Sequence, residues 1–501
     1  MRASRVRRRG FLAAAAGLGG SVALGALGCL ARRSVPAGDH LGAKLARFRG
    51  CLAGTLILPG DHDYEGARRL ASFNPRSDKR PSFIVRCGNA SDVARSLEFA
   101  RSSHLEIAVR GGGHDVLGGS VCEGGVLIDL APLGSIRISP ERGVALVQSG
   151  ARVGAVNEAL QGHGLSAALG CHPGVGVAGL TLGGGLGWLL GRFGAACDNL
   201  VAVEIVTAEG RQLRASETEN AELFWGLRGG GGNFGIATAF EYRLHPVGKV
   251  VGGCLAYSGA RTRDFLRFYR DYMAQAPDEL TVEVVMLSSD EPVVLAVACY
   301  SGDAASAVRV LAPLRMFGPL LVNGIREVPY ARLADPPPEI ARMVGGGVAH
   351  EGEDGGHRGF NYWRGASLST WTDSAIDAFV TCAATAPPGW SMGVGHYMHG
   401  AVCRVGDRDT PLLRRVGHSS YHFNVSWGAT KRSAGAMAWV DRSLARMAPF
   451  SDAPTYVNYL SSDTAQAVAA AYGEGYGRLV ALKRQFDPDN VFHRNRNIRP
   501  E

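Results

Sequence analysis

Arg110, Gly111, Gly112, Gly113, His114 and Asp115 set a histidine directly after three consecutive glycines. Backbone stripped of side chains can come close to a large flat ligand, and the imidazole is the reactive group beside the cleared space. Two further glycine-dense segments follow in the same half of the chain, residues 176–188 and 228–235. Exposed N–H groups in such concave loops bind anions without needing lysine. Glycine makes up 69 of 501 residues, roughly double the ordinary share of about 7%, and three dense clusters are more than turns require.

The elements that must carry these loops are legible from hydrophobic periodicity. Short apolar runs at 55–58 and 82–86 read as strands, residues 90–103 have helical spacing, and 105–109 reads as a strand running into the triple glycine. Runs at 125–129, 143–147 and 201–206 add strands, with a helix predicted over 153–162. One sheet does not hold them all, which predicts two small α+β subdomains. From about residue 250 longer strand-like segments (280–286, 292–299) alternate with helical stretches such as 263–276, the texture of a second domain. Residues 345–359, crowded with Gly, Glu, Asp and His, read as a surface loop. Residues 418–427 alternate, placing Tyr421, Phe423 and Val425 on one face and His422, Asn424 and Ser426 on the other. That polar face either lines a pocket or meets solvent. Residues 468–486 read as helix, ended by the turn residues of 487–490.

Bulk properties narrow the function classes. A chain of 501 residues, 46% hydrophobic, exceeds what one core usually supports. The first 38 residues hold seven arginines and no acid, so removing them from the formal +8 leaves +1. No basic face interleaved with aromatics follows, and a nucleic-acid partner is not expected. The leading segment, Arg7-Arg8-Arg9-Gly10-Phe11-Leu12 and an Ala/Gly/Leu run to Leu30, resembles a twin-arginine export signal. Six glycines, counted from Gly10 to Gly28 inclusive, favour a cleaved leader over an anchor helix, while Cys29 leaves lipid attachment open. The ten cysteines show no Cys-x-x-Cys pair and no zinc spacing with histidine, so no metal site is expected.

From about Leu52 to the C-terminus the sequence resembles the FAD-linked oxidases of the berberine bridge enzyme family, within the wider vanillyl-alcohol-oxidase-type flavin fold. The resemblance rests on residues 80–85, 110–115 and 176–188, on Asp198-Asn199, Phe224-Trp225 and residues 229–235, and on Tyr456-Val-Asn458-Tyr459 and residues 486–492 near the end. It implies an α+β fold with a two-subdomain, PCMH-type FAD-binding domain over 45–248. A substrate domain with an antiparallel sheet covered by helices follows over 249–450, and a segment over 451–501 returns to the FAD domain. Implied flavin contacts are Arg110, Gly111, Gly112, Gly113, His114, Asp115, His172, Val175, Gly176, Gly179, Gly183, Gly184, Gly187, Ile236 and Asn458, with His114 in the place of the family's covalent flavin link. Where many members add a second link from cysteine, His172 stands in register and Cys171 lies one residue early. A shift of one turns a side chain to the opposite face, which favours a single link, although a local insertion would restore Cys171. Val175 fills the position bordering the oxygen-reacting face, and a small valine there leans towards oxidase over dehydrogenase.

The resemblance implies Tyr459 as catalytic base, with Tyr397 close by, provided that the phenolic pKa of about 10 is lowered. Relatives that use a glutamate base carry it in the strand matching 418–427, and no acid stands there. The expectation is therefore an oxidase acting on an alcohol or hemiacetal carbon of a carbohydrate or glycosylated natural product, with oxygen as acceptor, working as monomer or homodimer. Three alternatives stay open: a flavin-dependent dehydrogenase or oxidative cyclase, a flavin-loaded electron carrier without turnover, and a nicotinamide-dependent reductase using Gly183 to Gly187. The last fits the dinucleotide pattern only loosely, because no clear strand precedes the glycines.

Overall fold

The computed structural model describes residues 37–288, 291–343, 359–413, 417–428 and 430–501. The leader, Cys29 and all but the last residue of the 345–359 segment lie outside them. A helix, Ala37–Gly50, opens the described chain, and residues 48–501 form one compact unit.

Among the described residues the strands sort into three sheets in chain order. β1 (Thr55–Ile57), β2 (Phe83–Arg86), β3 (Ile107–Arg110) and β4 (Val126–Asp129) make the first, ordered β1-β2-β4-β3, with the β2/β4 and β4/β3 pairs parallel. Parallel strands of one sheet need a crossover connection, supplied between β2 and β3 by the helix Ala90–Ser102. That helix is started by the Asn89 side chain accepting from Asp92 N, and it buries Val93, Leu97 and Ala100. The Asp92 carboxylate in turn accepts from the N–H groups of Ala53, Gly54 and Gly88, fixing the strand ends around it.

The second sheet is antiparallel: β5 (Ile136–Ser139), β6 (Val144–Gln148), β7 (Leu200–Val206), β8 (Gln212–Ser216) and β9 (Ile236–Arg243), ordered β5-β6-β9-β7-β8. Its core takes in Val457, Leu460, Val468, Tyr472, Leu479 and Ile498, so the C-terminal segment packs back onto this sheet. The helix predicted over 468–486 is two, Ala465–Tyr472 and Tyr476–Phe486, parted at Gly473 with φ +52°.

The third sheet holds β10 (Lys249–Ser258), β11 (Leu280–Leu287), β12 (Val293–Tyr300), β13 (Val322–Asn323), β14 (Arg326–Pro329), β15 (Phe360–Leu368), β16 (Trp390–Tyr397) and β17 (Ser419–Trp427). They run β13-β10-β12-β11-β16-β17-β15, with β14 beside β10. The helices Thr262–Met273, Ala304–Met316, Asp373–Ala383 and Ser433–Met447 contribute to the core on one face, against Val282, Val284, Met392, Val394, Tyr421 and Phe423. Because side chains alternate across a strand, the opposite face carries Glu283, Trp363, Gly393, Gly395 and His422. This is the α+β architecture that the sequence pattern leads one to expect, and loops from the first two sheets approach the second face of the third.

Candidate active site

The triple-glycine loop leaves β3 and is held from both ends. Arg110, buried, spans to Asp129 of β4 at 2.8 Å and donates to the Arg69 carbonyl, so its guanidinium anchors the strand instead of reaching outwards. Asp115 accepts from Leu117 N and Gly119 N and pairs with Arg496 of the C-terminal segment. Burial works to raise its pKa, but Arg496 and the two N–H groups outweigh that and hold the carboxyl below its ordinary value. Between these anchors the backbone lies against a second glycine: a Cβ on Gly112 would stand 2.3 Å from Gly176 N, and one on Gly176 equally close to Gly112 N. Gly113 has φ +76°, a conformation that favours glycine.

Gly176 leads into the helix Val177–Leu182. Gly179 on that helix is exposed with nothing within 4 Å of where a Cβ would stand. Gly183 is pressed against the Asn458 side chain and Gly187 against the Leu169 carbonyl. Gly184, with φ +119°, meets Leu412, and Ile236 is buried at the start of β9 beside Val206. Asn458 donates through Nδ2 to the carbonyls of Gly179 and Leu180 and to Tyr456 Oη, while Gly185 N also donates to that hydroxyl. The Tyr-x-Asn-Tyr segment is therefore clamped onto the glycine helix.

His114, half-buried, and His172, exposed, face each other with ring centroids 5.8 Å apart. Val175 is half-buried and anchors the backbone through hydrogen bonds with Val153 N and the His172 carbonyl. Cys171 points elsewhere: its Sγ lies 3.6 Å from Glu283 Oε1 and 3.6 Å from His396 Nε2. Burial first, then the Glu283 charge, pushes the thiol's pKa well above its usual value.

Tyr459 lies against Trp363 of β15 (centroids 4.8 Å), and Trp363 stacks on His422 of β17 at 5.4 Å and 23°. His422 passes over Gly393, where a Cβ would strike its ring at 2.3 Å. Burial lowers the pKa of His422 to about 4, with His396 contributing, so its ring is neutral at pH 7. The polar face of residues 418–427 is thus half-buried, against Trp363, Gly393 and Asn361. Tyr459 Oη lies 3.5 Å from His396 Nδ1. Tyr397, expected near Tyr459, packs against the core of the third sheet, and its chain neighbour His396 takes the place beside the phenol. Glu283, Trp363 and His396 were not singled out from sequence. A lone acid within the apolar run of 280–286 was the available signal for Glu283.

The sequence matches the FAD binding domain family over residues 81–216 and the berberine and berberine-like family over 455–499. The protein is a FAD-linked oxidoreductase with a berberine-like C-terminal segment. It is 29% identical over 463 residues to (R)-6-hydroxynicotine oxidase of Paenarthrobacter nicotinovorans, covering 90% of this chain and 97% of that one. The crystal structure of 6-hydroxy-D-nicotine oxidase from Arthrobacter nicotinovorans superposes with a TM-score of 0.79 at 28% identity, covering 90% and 98%. Chitooligosaccharide oxidase shares the fold at a TM-score of 0.75 and 23% identity, covering 92% and 99%. Among the described residues of this flavoenzyme, no helix is long and apolar enough to cross a membrane.

Proposed function

We propose that this flavoenzyme is an oxidase that removes a hydride from an alcohol or hemiacetal carbon of a carbohydrate or glycosylated natural product, passes the electrons to oxygen and releases hydrogen peroxide. The observation that carries the reading is Tyr459. It stands on the aromatic wall of Trp363 and His422, connected through His396 and Cys171 to the loop bearing His172, which faces His114 of the triple-glycine loop. A stacked indole and imidazole suit the apolar face of a sugar ring or an aromatic aglycone. The phenol is placed to take the proton of a substrate hydroxyl.

The residues fit a flavin. The Gly112/Gly176 approach, which no Cβ would allow, and the open surface at Gly179 form the cradle. Gly111, Gly113, Gly176 and Gly179 would offer it backbone, and His114 and His172 would flank it. The flavin supplies the two-electron acceptor; the chain holds the substrate, shelters it and manages its proton. We infer attachment through His114 alone, because His172 faces His114 while the Cys171 thiol is turned to Glu283 and kept protonated. The leader over residues 1–38, with its Arg7-Arg8-Arg9 cluster, fits export of a protein folded around its cofactor.

Acid-precipitated protein is expected to stay yellow, and His114→Ala to release flavin to the supernatant; free flavin from unmodified protein refutes the link. Peroxide release across sugars, oligosaccharides and aromatic alcohols identifies the substrate class. Cyclic amines belong in the panel because Glu283 places a carboxylate at the pocket. Turnover of amines alone would overturn the CH–OH reading.

A further inference from the structure

Glu283 and His396 are brought together by two departures from regular strand structure. In β16, Met392 and Val394 face the helix-covered core, so simple alternation would send residue 396 to that side as well. Instead the pairing with β17 shifts register between Gly395 and Tyr397, and His396 adopts φ +32°, a left-handed conformation that a non-glycine residue holds only at a cost. The bulge delivers the imidazole to the pocket face and leaves Tyr397 to the core. There His396 Nε2 lies 3.2 Å from Glu283 Oε1, and Nδ1 lies 3.5 Å from Tyr459 Oη. The latter is long for a hydrogen bond, as catalytic contacts commonly are before substrate binds. Opposite Glu283, Gly395 leaves room: a Cβ there would stand 3.8 Å from Oε1. Strained backbone concentrated at an observed outlier is a signature of function.

We propose that Glu283 and His396 form a proton relay that receives the phenolic proton of Tyr459 while Tyr459 deprotonates the substrate. The inference rests on the reading of Tyr459 as the base. It resolves a difficulty in that reading. Burial raises the Tyr459 pKa well above its ordinary value, and Glu283, Tyr456 and Cys171 raise it further, so a standing tyrosinate is disfavoured. Such a phenol acts as a base only if it surrenders its own proton in the same event. His396 is able to accept it: burial lowers its pKa and outweighs the opposing pull of Glu283 and the Leu186 carbonyl, leaving the ring neutral at pH 7. The other titratable groups near the ring are Cys171 and His422, both uncharged at that pH. With Nε2–H donated to Glu283, Nδ1 offers its lone pair to Tyr459.

The step balances. The substrate O–H breaks and a new Oη–H forms; the original phenolic O–H breaks and Nδ1–H forms, giving an imidazolium paired with the Glu283 carboxylate. The carbon bearing that hydroxyl would give up a hydride, an electron pair for which a bound flavin would be the acceptor, so the substrate is oxidised by two electrons, its hydroxyl proton sits on Tyr459 and the former phenolic proton on His396. Glu283 acts as a positioning residue that makes the imidazole more basic than burial alone would leave it and holds it in the right tautomer.

The test uses the flavin-loaded enzyme with a substrate from the peroxide panel and the variants Tyr459→Phe, His396→Asn and Glu283→Gln, each compared at equal flavin content. His396→Asn should lose on the order of 10²-fold in kcat/KM and the acid limb of its pH profile, because nothing remains there to protonate. Glu283→Gln should lose about tenfold, equivalent to one unit of base strength, and shift the acid limb to lower pH, since the charge that raises the His396 pKa is gone. Independently of turnover, Glu283→Gln should let Tyr459 ionise at lower pH, read as the phenolate difference spectrum against the matching Tyr459→Phe protein. If His396→Asn fails to hold flavin, His396→Gln takes its place. Unchanged acid limbs and an unchanged Tyr459 titration would overturn the relay, as would a stoichiometric metal ion bound to His396. Tyr459→Phe retaining turnover is a different result: it removes the base itself, and with it the reading on which the relay depends.

Discussion

Alanine at Gly112 would put a Cβ 2.3 Å from Gly176 N and 2.6 Å from its Cα, where ordinary van der Waals contact begins at 3.4 Å. Both neighbours are backbone, so no side-chain rotation relieves the clash, and the two loops must part by about 1 Å (3.4 − 2.3). Forcing one carbon into a packed contact costs about 1–3 kcal/mol, which in a unit of this size lowers the melting temperature by about 1–3 °C. The larger effect is on the cofactor, because a 1 Å displacement of a positioning loop is enough to cost about 10²-fold in function. Gly179→Ala is the matched control. Its Cβ meets nothing within 4 Å, and replacing a helical glycine by alanine should stabilise the flavin-free fold by about 0.5–1 kcal/mol. If the open side of that helix is cofactor surface, the same methyl should reduce flavin uptake. The assay is flavin per protein, measured by absorbance after expression and after incubation with excess FAD, beside a thermal melt of each variant. Gly112→Ala should lose both flavin and stability, and Gly179→Ala flavin alone. Full flavin content in both variants would refute the placement of the cradle.

Three further outcomes follow from side chains away from the cradle. Asn458→Ala removes the donors to the Gly179 and Leu180 carbonyls and to Tyr456; stability should fall by about 1–3 kcal/mol with weaker flavin retention, and a denaturant curve unchanged from wild type would sink the clamp. Lys483 and Asp487 are a fully buried pair at 2.6 Å, with the ammonium also bonded to the Asn233 and Phe492 carbonyls, so Lys483→Met should cost about 3–5 kcal/mol by stranding a charge, read as a loss of soluble folded protein. His245 stacks on Phe193 and bonds Asn199 Oδ1, and burial first, then Arg243 and Arg192, lowers its pKa to about 4. A depressed histidine pKa contributes stability that is whole above about 6.5 and is lost as pH falls towards 4, because the unfolded chain binds the proton first. The wild-type denaturation midpoint should therefore drop across that window, and His245→Gln should flatten the drop.

What could be read from the sequence and what could not divide along a physical line. The glycine loops, the strand into Arg110 and the alternation of residues 418–427 are local patterns, and the structure shows a strand at Ile107–Arg110 and at Ser419–Trp427 with the predicted faces. The clamp by Asn458 joins residues nearly 280 positions apart, and the sequence pointed to Asn458 only as a flavin contact. Arg110, expected at the flavin, spends its charge on Asp129, since a buried guanidinium needs a carboxylate partner more than the loop needs a cation. The absence of an acid in 418–427 said nothing about β11, two strands away in the sheet, whose Glu283 reaches the same pocket. Sheet order is set by long-range pairing, and spacing along the chain does not reveal it.

The register of two single residues decides how the site works, and in both cases backbone geometry does the deciding. His172 and Cys171 are adjacent, so an extended chain sends them to opposite sides: the first to His114, the second to Glu283 and His396. His396 and Tyr397 are adjacent too, yet a bulge exchanges the sides that alternation would give them. Without that extra residue in the ladder the phenol of Tyr397 would face the pocket and the imidazole would be buried among Met392, Val394 and their neighbours, where a titratable ring has no partner. The bulge therefore trades a second phenol for an imidazole beside Tyr459. A second phenol held at high pKa by burial could take no proton from Tyr459 at neutral pH, whereas a neutral imidazole can. On the proposed relay, the choice of group at that one position is what would make a deeply placed, reluctant tyrosine usable as a base.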